Sequence, residues 1–99
     1  MITTFRTYNL AMEFYRECKK LRLEDPIIRD QFERAVLSIC LNLAEGYGKR
    51  TRPDRKKFFH IAFGSLRETQ CLLEIVDNNV LINKADVLAA HLYKLCRNT

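Results

Sequence analysis

Nothing in this sequence is both long and apolar. The longest stretch free of Lys, Arg, Asp and Glu runs from Ala35 to Ala44, with Ser38 and Asn42 inside it. That is far short of the ~20 residues a bilayer-crossing helix needs. The opening Met1-Ile2-Thr3-Thr4-Phe5-Arg6 also lacks the apolar run of a secretion signal. A soluble, cytoplasmic protein with no membrane partner is expected. Strand-like alternation is absent, which argues against a sheet. Glycine occurs three times and proline twice, and four of these five residues stand where helices are expected to begin or end. A length of 99 residues bounds the chain to one domain, 1–99, with a modest core. With 47% hydrophobic and 29% charged residues, the composition is globular and leaves no disordered tract.

Metal and thiol chemistry find little support. Cys18, Cys40, Cys71 and Cys96 are widely spaced, without a C-x₂-C pair or a histidine at ligand spacing. Buried free thiols are the expected state. Cys71 and His91 can meet in a fold, but two ligands do not make a site. Gly48-Lys49-Arg50-Thr51 resembles the end of a phosphate-binding loop. The glycine required five residues earlier is Leu43, and no strand precedes it. Glu45, His60 and Glu68, the candidates for hydrolytic chemistry, fall on different helical faces and form no triad. No cofactor, no metal and no enzymatic activity are expected.

What is present is helical. Phe5 to about Arg22 carries Leu10, Phe14 and Leu21 on one stripe, stopped by Asp25-Pro26. A second helix runs from Ile27 to about Tyr47, with Gly46 and Gly48 as left-handed terminators. Pro53 suits the first turn of a third helix, which extends to about Asp77 on a core stripe of Phe58, Ala62, Ser65, Leu72 and Val76. Asn83 caps a fourth, with Asp86 as its box partner and Leu88, Leu92 and Leu95 as its stripe. Short connections between four helices predict an all-α, antiparallel up-and-down four-helix bundle.

The second helix is apolar over most of its circumference. Ile28, Phe32, Ala35, Val36, Ile39, Cys40, Leu43, Ala44 and Tyr47 cover about half of it, and Leu37 and Leu41 extend the apolar surface. The remaining narrow stripe, Arg34, Ser38, Asn42 and Glu45, is then expected to lie against protein. Folding the third helix back about Arg50–Thr51 makes positions summing to about 102 level. Arg34 meets Glu68, Ser38 meets Gly64–Ser65, and Glu45 meets Lys57 or Arg55. A structural polar seam follows, because burial requires such charges to be paired. Gly64 and Ser65 are expected to let the two backbones approach closely.

The basic character of the chain is local. Lys49, Arg50, Arg52, Arg55, Lys56 and Lys57 against the single Asp54 give Lys49–Lys57 a net +5, equal to that of the whole chain; the other residues carry eleven basic and eleven acidic groups. A concentrated positive patch attracts a polyanion, and nucleic acid is the commonest one inside cells. A solubilising turn explains the same run. On the third helix, Lys56, His60, Phe63 and Arg67 share a face opposite the expected core stripe. Phe63 on that face either stacks on a base between basic neighbours or packs against another subunit; the subunit contact is the stronger expectation.

Three segments carry a resemblance: Gln31-x-x-Arg34-Ala35, Ser38-Ile39-x-x-Asn42-Leu43-Ala44-Glu45-Gly46 and Phe58-x-x-Ile61-Ala62-x-Gly64-Ser65-x-x-Glu68. They resemble the signature of a bacterial four-helix-bundle family first associated with intervening sequences of 23S ribosomal RNA genes. Accessory variability proteins of diversity-generating retroelements are similar to it. The resemblance covers nearly the whole chain. It implies a four-helix protomer, a ring-like homopentamer and a basic surface that binds nucleic acid; for the retroelement branch it also implies a reverse-transcriptase partner. Cys40 stands where many members have proline, and the chain lacks the tryptophan many carry in the first helix, so Tyr8 or Phe14 must fill that space.

Together these readings predict a non-enzymatic, oligomeric bundle that holds RNA or DNA through the turn Lys49, Arg50, Arg52, Arg55, Lys56 and Lys57, extended by His60 and Arg67. The competing reading is a protein-interaction adaptor whose basic turn keeps it soluble.

Overall fold

The computed structural model describes residues 5–99; Met1–Thr4, part of the segment read above for a secretion signal, lie outside the described residues. Four helices fill it: α1 (Arg6–Lys19), α2 (Pro26–Gly48), α3 (Arg52–Ile75) and α4 (Asn79–Asn98). Each packs on its two neighbours and not on its diagonal partner, giving a bundle 41 × 21 × 19 Å. The connections are a few residues long, so successive helices run antiparallel. No helix is long and apolar enough to cross a membrane among the described residues.

Helix boundaries follow local chemistry, in places different from that expected. Asp25 starts α2 rather than merely stopping α1: its carboxylate accepts from the backbone N–H groups of Ile27 (2.9 Å) and Ile28 (3.2 Å), with Pro26 in the first turn. Thr51 caps α3 through the N–H of Asp54. Asn78, not Asn83, caps α4, accepting from Leu81 N–H at 3.0 Å. The break before it is made by Asp77, the one described non-glycine residue with positive φ (57°). Its N–H reaches the Glu74 carbonyl while that of Asn78 reaches the Leu73 carbonyl, a Schellman closure built on aspartate. Gly46 and Gly48, expected as left-handed terminators, both keep negative φ. α2 continues through Gly48 and ends when Lys49 turns extended.

The core lies one residue away from the stripe expected on α3. Phe59, Ala62, Leu66, Thr69 and Leu73 are buried, whereas Phe58 and Ser65 are half-exposed. Two adjacent phenylalanines made the phase ambiguous, and the polar Thr69 hid the true period. Its hydroxyl donates to the Ser65 carbonyl at 2.9 Å, which removes the cost of burying it. On α2, Phe32, Val36, Ile39 and Leu43 face inward as expected. Three thiols complete the core. Cys40 donates to the Ala11 carbonyl, and Cys18, Cys40 and Cys96 are all buried; Cys71 is exposed. Burial pushes the Cys18 thiol up from an ordinary 9.0 to about 12, with Cys40 nearby adding to it, and pushes Cys40 up to about 11. Both are therefore protonated and inert at neutral pH.

At Gly46 the Phe59 ring of α3 rests directly against the α2 backbone. A Cβ built there would stand 2.5 and 2.7 Å from ring carbons of Phe59, which is only 1% exposed. Gly64, expected to provide the close approach, has open space around it. The same substitution should therefore have opposite signs at the two sites. Gly46→Ala should lower unfolding free energy by about 1–2 kcal/mol through overpacking. Gly64→Ala should raise it by ~0.5–1 kcal/mol through helix propensity. Urea denaturation of the two variants measures both, and stabilisation by Gly46→Ala would show that the contact is soft.

Candidate nucleic-acid interface

The antiparallel topology gathers the basic turn, the start of α1 and the end of α4 at one end of the bundle. Within the turn the six cations divide by what they touch. Arg55 is half-buried and turns inward, donating from Nε to the Lys49 carbonyl (3.0 Å) and from Nη2 to the Arg50 carbonyl (2.9 Å). It thereby satisfies backbone acceptors left open where α2 ends. Arg52 reaches across to α4, donating to the carbonyls of Thr99 (3.2 Å) and Asn98 (3.4 Å), where a cation also suits the negative end of the helix dipole. Lys49 pairs with Glu45 at 3.4 Å and lies 5.1 Å from the centre of the Phe58 ring.

The side chains of Arg50, Lys56 and Lys57 are exposed and make no hydrogen bond or ion pair among the described residues; the Lys57 ammonium lies 5.8 Å from the Phe58 ring centre. These three are the cations available to a ligand. Two more were invisible as part of the patch because they are remote in sequence. Arg6 at the start of α1 and Arg97 in the last turn of α4 are both exposed at this same end. The opposite end mixes signs, with Lys19, Lys20, Arg22 and Arg29 among Glu24, Asp25, Asp30, Glu74 and Asp77. The charge of the protomer is thus polarised along the bundle axis.

His60 and Arg67, expected beside the turn, are exposed on α3. Phe63 between them does not face water. It is half-buried, packed against the core, 6.4 Å from the Tyr93 ring of α4 and covered by the Arg67 guanidinium at 4.8 Å from its centre. Phe63, expected to face outward as a subunit contact, is thus only partly exposed.

The polar seam is partly formed and more exposed than expected. Ser38 and Ser65 hydroxyls meet at 2.7 Å, and the Asn42 amide donates to both the carbonyl (2.9 Å) and the hydroxyl (3.0 Å) of Ser38. That contact sets Arg34 and Glu68 nearly level, yet both are exposed and make no ion pair with each other among the described residues. Glu45 meets Lys49 of its own helix rather than Lys57 or Arg55. Beside the seam stand Leu41 (56% exposed) and Ile61 (43% exposed), one helical turn from Ser38 and Ser65; Leu37 lies on the other side of α2, in the groove toward α1 with Tyr15 and Leu21. None of the described residues buries Leu41 or Ile61.

No three His, Cys, Asp or Glu side chains group as metal ligands among the described residues. The more enclosed grooves lie elsewhere: one of about 400 Å³ between α1 and α4, one of about 550 Å³ where the α1–α2 connection crosses Phe32 and Val36. With the fold and the site in place, comparison with known proteins is direct. The sequence matches the 23S rRNA-intervening sequence protein family over residues 3–98. The chain belongs to that family. Among curated proteins none matches it. The match spans all four helices, so the basic turn and the Ser38–Ser65 contact both lie within the family's domain.

The division of the cations can be tested without any ligand. Arg55→Ala removes two charged hydrogen bonds to helix-end carbonyls and should cost about 1–2 kcal/mol in urea unfolding. Lys57→Ala should stay within about 0.5 kcal/mol of the unaltered protein. Equal effects would mean that Arg55 is as free as Lys57.

Proposed function

We propose that this protein is a non-enzymatic, self-associating bundle that binds the backbone of RNA or DNA at its basic end. The observation that carries the reading is the set Arg50, Lys56 and Lys57: exposed side chains free of hydrogen bonds and ion pairs among the described residues, the first in the α2–α3 connection and the other two near the start of α3, on a junction that Arg52 and Arg55 hold in place. Cations fixed on a rigid support lose little entropy on meeting phosphates, and contacts of this kind position a backbone without reading its sequence. The family's link to ribosomal RNA genes supports an RNA ligand. The site of action is then the cytoplasm.

Each phosphate contact contributes roughly 0.7–0.9 to the slope of log affinity against log salt. Replacing Arg50, Lys56 and Lys57 together by Gln should therefore flatten that slope by about 2 and abolish retention of RNA or DNA at physiological salt. Helicity should be unchanged, because none of the three supports the fold. An unaltered slope would remove the basic end from the interface.

Self-association belongs to the outer face of α2 and α3. Leu41 and Ile61 are exposed apolar side chains flanked by Arg34, Glu45 and Glu68, the arrangement of an interface core with a charged rim. A ring-like homopentamer, as the family resemblance implies, repeats the basic end around an axis and multiplies weak phosphate contacts. Leu41→Glu should reduce the mass seen by light scattering from a multiple of 11.7 kDa to the protomer's own. If the unaltered protein is already monomeric, this surface is instead free for a different protein. That is the adaptor reading, and on the retroelement branch the partner would be a reverse transcriptase.

A further inference from the structure

Tyr93 is the single aromatic among the large apolar side chains that the described residues expose, at 55%. It stands on α4 beside α3, 6.4 Å from Phe63 with the two rings inclined by 53°. Phe63 is anchored against the core, so Tyr93 rests on a rigid neighbour. One edge of the pair is fixed by a relay. Arg67 lies over Phe63 at 4.8 Å and donates to the side-chain Oε1 of Gln70 (3.1 Å), while Nε2 of Gln70 donates to the Asp86 carboxylate of α4 (3.0 Å). A surface ring backed in this way can meet a flat partner without first paying to be ordered.

The surroundings are basic and lead to the turn. At helical spacing His60 and Lys56 precede Phe63 on the same face of α3, and Arg97 follows Tyr93 by one turn of α4. Lys56 lies close enough to Cys96 of α4 to oppose the upward shift that burial gives its thiol. Arg52 ties the end of α4 to the start of α3. From Phe63 to Lys56 is ~10 Å along the helix. Asp86, two helical turns before Tyr93 on α4, is already held by Gln70.

We infer that Tyr93, backed by Phe63, is a stacking site for an unpaired nucleobase, so that the ligand of the basic end is single-stranded nucleic acid. Duplex bases are stacked on both faces, and a tyrosine on the convex side of a helical bundle cannot reach between them. An unpaired base offers a free π-face, and stacking on an aromatic ring beside cations that hold the backbone is the physics of sequence-tolerant single-strand binding. The inference rests on the nucleic-acid reading above and adds to it a choice of strand.

The test uses a twelve-nucleotide oligouridylate or oligothymidylate and a duplex of equal length. The chain has no tryptophan, so Tyr93→Trp supplies one reporter at the site. Its fluorescence should be quenched by the single strand and not by the duplex. Tyr93→Ala should weaken single-strand binding roughly tenfold or more, leave duplex binding and helicity unchanged, and be matched by no loss in Tyr93→Phe. Full single-strand affinity in Tyr93→Ala, with an unquenched Tyr93→Trp, overturns the stacking site while the backbone reading stands. Failure of the unaltered protein to bind either oligonucleotide at low salt overturns both.

Discussion

The seating of the Phe59 ring on Gly46 fixes much else in the molecule. The ring is buried, α2 presents no side chain at the point of contact, and Tyr47 closes over it at 5.0 Å between ring centres, with Phe5 of the segment before α1 at 4.9 Å from Tyr47 in turn. Two long helices packed that closely allow one register only, since sliding either by a residue drives the ring into a backbone that carries a Cβ. The Ser38–Ser65 hydrogen bond about two turns away agrees with the same register. Between the two helices, Arg55 of α3 ties down the carbonyls of Lys49 and Arg50.

From that constraint the surface divides into regions with different chemistry. The end beyond Phe59 carries the cations, some tied to backbone and some free. The outer side of α2 and α3 exposes Leu41 and Ile61 among the charged Arg34, Glu45 and Glu68. The α3–α4 side holds Phe63, Tyr93 and Arg67 against one another. On the proposed function, this separation of surfaces would let assembly and ligand binding proceed without competing.

Much of this was legible in the sequence. Helix number, order and antiparallel sense follow from apolar periodicity and short connections, and the inward face of α2 from Phe32, Val36, Ile39 and Leu43. What escaped was phase and role. Phe58-Phe59 offers two equally apolar choices, and only the buried Thr69, paid for by its bond to Ser65, decides between them. Gly46 looked like a stop signal and acts as a cradle, because a glycine's missing Cβ serves a close approach as well as a positive φ. Asp77 takes the positive φ instead, a role for which no glycine was available to signal. At the site, net charge located the turn but could not say that Arg52 and Arg55 face backbone carbonyls. Tyr93 had no neighbour in sequence to mark it; α3 supplies its neighbours only once folded.

The central claim is that the basic end of the bundle is where nucleic acid sits. Backbone amide chemical shifts, followed by NMR while a short RNA is titrated into the intact protein, test it residue by residue. The account predicts changes concentrated at Lys49–Lys57 and around Tyr93 and Arg97, with the Lys19–Arg29 end silent. Shifts confined to that opposite end, or to Leu37, Leu41 and Ile61, would contradict it.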